Sequence, residues 1–126
     1  MQIVLDTSAL IRFFTNDVPG KAEKVEKLIE DGKYIIIPDV VFPELEYVLS
    51  SGYALPRTKI LDAYRFILSR ENIKTSTYIK KATEIFGETN LDMADCIIAA
   101  QSEKGKLASF DKELLKVKSI KSFWKE

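Results

Sequence analysis

Tyr34-Ile35-Ile36-Ile37-Pro38-Asp39-Val40-Val41-Phe42-Pro43-Glu44 decides the fold class. Its first four residues are a short, continuous apolar run rich in β-branched side chains, the pattern of a buried strand, and Pro38 stops it. A helix follows at once, with Asp39 placed to cap it and Glu44 inside it. Pro43 lacks a backbone donor and is tolerated mainly in a first turn, so this helix is expected to start late or to bend near Glu44.

Outward from this unit, strands and helices alternate. Before it, Ile3-Val4-Leu5 is a second buried-strand pattern, followed by a short helix over Ser8 to Phe14 that Thr7 or Ser8 would cap. Pro19-Gly20 marks a turn, and Ala22, Val25, Leu28 and Ile29 line one face of a helix that Gly32 ends. After it, Ser50 to Tyr53 and Pro56 separate the Glu44 helix from one through Ile60, Leu61, Tyr64, Ile67 and Leu68, making a helical hairpin. Ile73-Lys74-Thr75 is a short strand, and Ile79, Ala82, Ile85 and Phe86 mark a helix ending at Gly87. A helix from Asn90 or Asp92 runs to Gly105, with Ala94, Ile97, Ile98 and Gln101 toward its packing face. Lys106 to Phe110 and Ser119 to Trp124 complete the series as strands. The alternation is that of an α/β fold with a mainly parallel sheet covered on both faces. The 126 residues make one domain, 1–126, without repeats or linkers.

Composition removes many chemistries. Histidine is absent, which excludes Ser-His-Asp and Cys-His catalysis and His-ligated zinc. The single cysteine, Cys96, has no internal disulfide partner and reads as a core residue. Formal charge is zero, so polyanion binding must be local, and the lysine-rich tail from Lys104 to Lys125 is the basic region on offer. No signal peptide or spanning segment is evident, so the expectation is a soluble, cytoplasmic protein with no membrane association.

Four acids interrupt apolar stretches: Asp6 after Ile3-Val4-Leu5, Glu44, Asp95 within Met93 to Ile98, and Asp111 after Leu107 to Phe110. A carboxylate in such a setting is costly unless paired or bound to a cation, and a shared cation explains all four. Ligands of open parallel sheets bind beyond the carboxyl ends of the strands, where Asp6 and Asp111 directly follow strands and Glu44 follows Ile37 by about two turns. Asp92 and Asp95 share a helix face near the same edge. Each acid also has an ordinary reading: Asp6 and Asp111 as helix caps, Asp95 as a first-turn dipole partner, Glu44 as a solvated side chain. Oxygen ligands without histidine or paired thiols favour magnesium or manganese, and thus metal-assisted phosphodiester hydrolysis.

Leu5-Asp6-Thr7-Ser8-Ala9-Leu10-Ile11, Pro38 to Glu44, Asp92-Met93-Ala94-Asp95-Cys96-Ile97-Ile98-Ala99-Ala100 and Ser109-Phe110-Asp111 together resemble the PIN domain family, in particular VapC-type toxin ribonucleases. The resemblance implies a three-layer α/β/α sandwich and a Mg2+- or Mn2+-dependent endoribonuclease, commonly dimeric and often neutralised by an antitoxin protein. It implies Asp6, Glu44 and Asp95 as metal ligands and Asp111 as a fourth. Ser8 and Ser109 would be auxiliary hydroxyls, and Asp92 a neighbour. RNA contacts would fall to Arg12, Arg57 or the tail lysines.

Three other readings stand beside this one. A receiver-type domain needs a phosphate-accepting Asp after a middle strand, and Ile73-Lys74-Thr75-Ser76 has none. A non-catalytic PIN-fold module that binds nucleic acid or protein, or an RNA-processing nuclease without an antitoxin, would keep the fold. The aromatic residues Phe42, Tyr47, Tyr53, Tyr64 and Phe66 of the helical hairpin exceed what one helix face buries, which points to an interface there, such as a homodimer.

Overall fold

The computed structural model describes residues 2–125; Met1, at the head of the apolar start, and Glu126, in the tail, lie outside the described residues. The chain divides into two compact units, one ending at Ser76 and the other starting at Thr77.

In the first unit, β1 (Ile3–Val4), β2 (Ile35–Ile36) and β3 (Ile73–Lys74) form a parallel sheet in that order. The tripeptide Ile35-Ile36-Ile37 is central because it pairs on both sides. Ile3 and Leu5 donate to Tyr34 and Ile36, while Ile35 and Ile37 donate to Asn72 and Lys74. Ile35 and Ile37 point the same way along the strand and are fully buried, the two-residue alternation of a pleated chain. The ladder stops where Pro38 has no N–H to give.

Helices α1 (Thr7–Thr15) and α2 (Pro19–Glu30) join β1 to β2, and α1 packs on α2 and on α3 (Val41–Tyr47). Pro19, expected in a turn, is instead the first residue of α2, where its fixed φ suits the helix and its missing N–H is not needed. Gly32, with φ +72, ends that segment in a left-handed conformation that a side chain would strain. Helix α3 begins before Pro43, not after it. Pro43 occupies the first turn, whose N–H groups have no partner within the helix, so Glu44 is left in regular helix. The irregularity comes later, at Val48–Gly52, which winds as a π-helical turn. The expected Asp39 cap is absent, and backbone carbonyls of Pro38 and Asp39 accept from Val41 and Phe42 instead.

Helix α4 (Arg57–Ser69) follows and absorbs most of the hairpin's aromatic residues. Tyr64 and Phe42 are fully buried with ring centroids 5.4 Å apart, and the Tyr64 hydroxyl donates to the Phe42 carbonyl. Phe66 meets Phe13 at a tilt and Phe14 edge-on. The excess expected on this hairpin therefore reduces to Tyr47, 71% exposed.

The second unit packs α5 (Thr77–Glu88) against α6 (Met93–Gln101), with the short α7 (Lys112–Leu115) beyond. The buried face of α6 is Met93, Cys96, Ala99 and Ala100, not the predicted Ala94, Ile97, Ile98 and Gln101; Ile98 is 43% exposed. Apolar residues fill almost every position of this helix, so their spacing leaves its phase open, and the cap at Asp92 fixes it. Cys96 is buried, as its core reading requires. The two predicted carboxy-terminal strands shrink to one parallel bridge, Leu107 with Ser122. Ser109 Oγ accepts the Asp111 N–H at 3.0 Å and turns the chain toward α7, a local bond that competes with the ladder. No helix among the described residues is long and apolar enough to cross a membrane.

Candidate functional site

In the first unit, the turn from β1 into α1 organises the acids. Asp6 is extended (φ −97, ψ 178) and is itself the cap of α1, its ordinary reading, in place of Thr7 or Ser8: its Oδ1 accepts the Ala9 N–H at 3.1 Å and the Ser8 hydroxyl at 2.8 Å. These donors, the Ala9 N–H first, hold its carboxyl below the ordinary value. Thr7 donates its hydroxyl to Glu44 Oε1, tying the end of β1 to α3 across 37 positions of sequence. Asp6 and Glu44 are thus each fixed by a hydroxyl from the same turn.

A cavity of about 740 Å³ opens against this turn, lined by Thr7, Ser8, Arg12, Glu44, Tyr47 and Tyr53 among others. Its far wall is a small network. Asn16, in a left-handed conformation (φ 52), ends α1 and brings Asp17 back to Arg12, whose Nη1 lies 2.6 Å from Asp17 Oδ2. The Tyr53 hydroxyl donates to the same oxygen at 2.6 Å and Thr15 to the other at 3.0 Å. The Tyr53 bond, then Thr15 and the Arg12 charge, lower the Asp17 carboxyl, and the same bond raises the Tyr53 phenol. Arg12 and Arg57, both candidates for RNA contact, already pair with Asp17 and, at 3.8 Å, with Glu46.

The second unit holds the other acids. Asp92 caps α6 through its Oδ1, 2.8 Å from the Asp95 N–H, and Asp95 lies in the first turn. Asp95 is half-buried, and its carboxyl is raised, first by burial and then by the charges of Asp92 and Asp111. Asp111 caps α7, its Oδ1 accepting from Glu113 at 3.0 Å and Leu114 at 3.1 Å. Asp6, Glu44 and Asp111 are solvent-exposed, which corrects the premise that all four acids are costly, buried groups. Their constraint comes from caps and hydroxyls, whereas at Asp95 burial is the leading influence on the carboxyl. Among the described residues, no three acidic or thiol side chains lie together as a group able to hold a metal ion.

The donor chemistry nevertheless fits a hard cation. Both units offer carboxylate oxygens with hydroxyls beside them, and neither offers the imidazole or paired thiolates that zinc prefers. Asp92 takes its ordinary role as a cap. Two structural features escaped the sequence reading: the Thr7 hydroxyl on Glu44, which depends on tertiary pairing, and an aromatic group at Phe110, Phe123 and Trp124. A hydroxyl directly after a strand-end acid was the available signal for the first.

The PIN domain family model matches residues 3–120 and so takes in all four acids. The chain belongs to the PIN domain family. It is also similar to a protein of Aquifex aeolicus (strain VF5) named VapC ribonuclease, 27% identical over 107 residues, which cover 80% of this chain and 78% of that one. No solved structure matches the chain. Asp6 at a strand end and the hydroxyl-bound Glu44 belong to the first unit, and Asp95 and Asp111 to the second.

Proposed function

We propose that this PIN domain protein is a divalent-cation-dependent endoribonuclease, with Asp6, Glu44, Asp95 and Asp111 as the ligands of Mg2+ or Mn2+. We further propose that it acts in the cytoplasm as the toxin of a toxin–antitoxin pair, as a homodimer that a cognate antitoxin protein neutralises. The observation that carries this reading is the family match across residues 3–120, supported by the relative named VapC ribonuclease.

When bound, the cation would neutralise charge on the phosphoryl group and lower the pKa of an attacking water. The chain's own residues set the geometry for that chemistry. Ser8 and the Ala9 N–H hold the Asp6 carboxylate ionised and oriented, and Thr7 holds Glu44. Two N–H groups of α7 fix Asp111. Ser109 shapes the turn that presents it. The cavity beside Thr7, Ser8 and Glu44 is within the size range of small-molecule sites and gives a nucleotide room to approach.

The test is cleavage of RNA by purified protein with Mg2+ or Mn2+, against the same reaction in chelator. The wild type cleaves, and Asp6→Asn and Asp95→Asn each lose at least about 100-fold, since altering even a partner of a metal ligand commonly costs 10- to 100-fold. Undiminished cleavage by either variant, or none by the wild type, removes the reading.

A further inference from the structure

Phe110, Phe123 and Trp124 are large apolar side chains left in solvent, 81%, 58% and 44% exposed. They are not scattered. The Phe110 and Trp124 rings are stacked with centroids 4.6 Å apart and planes at 7°, and Phe123 meets Trp124 edge-on at 5.8 Å. The Leu107–Ser122 bridge assembles them: Leu107 donates to Lys121 and accepts from Phe123, both at 2.8 Å, which lays the two segments side by side. Phe110 directly precedes Asp111, so the open stack is one residue from a carboxylate already assigned to the nuclease site.

The surroundings are cationic. Residues 104–125 carry seven lysines against the two acids Asp111 and Glu113. Lys112, Lys121 and Lys125, each exposed, lie within two residues of the three rings. Flat aromatic faces in a lysine-rich setting match how proteins hold single-stranded nucleic acid, with bases stacked on rings and the phosphate backbone tracked by positive charge. A protein interface also favours aromatic residues but is depleted of lysine, so the lysines beside these rings favour nucleic acid over a protein partner.

We propose that the Phe110–Trp124 stack is a platform for an unpaired base of the RNA substrate, with Lys112, Lys121 and Lys125 on the adjoining phosphates. This deepens the ribonuclease reading and rests on it for the identity of the ligand. The platform binds RNA irrespective of sequence, because every base has a face to stack.

Trp124 is the sole tryptophan of the chain, so its emission reports on the platform directly. The experiment titrates intact protein, in chelator to prevent cleavage, with a short single-stranded RNA and with a base-free ribose-phosphate chain of equal length. The platform predicts saturable quenching by RNA and none by the base-free chain. It also predicts a loss of RNA affinity of about 5- to 100-fold in Phe110→Ala, with Phe110→Tyr near wild type. Phe110 is exposed, so its truncation leaves the fold intact, which the thermal midpoint checks. Wild-type affinity in Phe110→Ala, quenching by the base-free chain, or no RNA binding by the wild type overturns the platform. So does a Trp124 shift that follows protein concentration without RNA, which would mark a contact between copies. Asp6→Asn separates the two ideas: it keeps the quenching while losing cleavage. Quenching in a wild type that cannot cleave upholds the platform and removes the nuclease.

Discussion

Asp6 and Asp95 open their helices in opposite electrostatic settings. At the head of α1, an N–H and a hydroxyl converge on Asp6, and the fold favours its charge. At the head of α6, Asp95 is half-buried between Asp92 and Asp111, and the fold disfavours its charge. The fold thus favours the charge of one carboxylate and opposes that of the other.

The largest effect expected from disturbing this contrast lies on the Asp6 side. Thr7→Val removes the hydroxyl from Glu44 and lowers cleavage about 10- to 100-fold, the usual cost of losing a ligand's orienting partner. Thr7→Ser restores it. Single-turnover rates of the two variants measure the difference, with thermal midpoints close to wild type marking the role as positional.

Stability gives a smaller effect of opposite sign at the two acids. Asp6→Ala costs about 1 kcal/mol through loss of the cap, while Asp6→Asn, an equally good cap, is near neutral. Asp95→Asn stabilises the metal-free protein at neutral pH. The signs follow from linkage. The Asp6 contribution is complete above 3.8, its ordinary value, and is lost as pH falls through the lower value it has in the fold. The Asp95 penalty is absent below 3.8, grows as pH rises above it and is complete above its elevated value, so the gain from Asp95→Asn closes on acidification. Denaturant titrations at several pH values read both.

The contrast also explains what the sequence could reveal. Ile35 to Ile37 and Pro38 dictate the central strand by local chemistry, and Gly32 dictates the stop before it, so both are legible one residue at a time. The four acids are legible as exceptions within apolar runs. Their surroundings are not, because Thr7 reaches Glu44 only after β1 and α3 are placed, and the phase of α6 is hidden where nearly every side chain is apolar. Phe110 and Trp124, fourteen residues apart, meet only through the Leu107–Ser122 bridge, a pairing too short to leave a periodic signal. Asp92 was legible as an acid and acts as a cap.

The most direct measurement is calorimetric titration of the wild type, Asp6→Asn and Asp95→Asn with Mn2+. The proposed function predicts saturable binding by the wild type and at least tenfold weaker binding by each variant, since it assigns both acids to one cation. Binding of equal strength in all three proteins would contradict it.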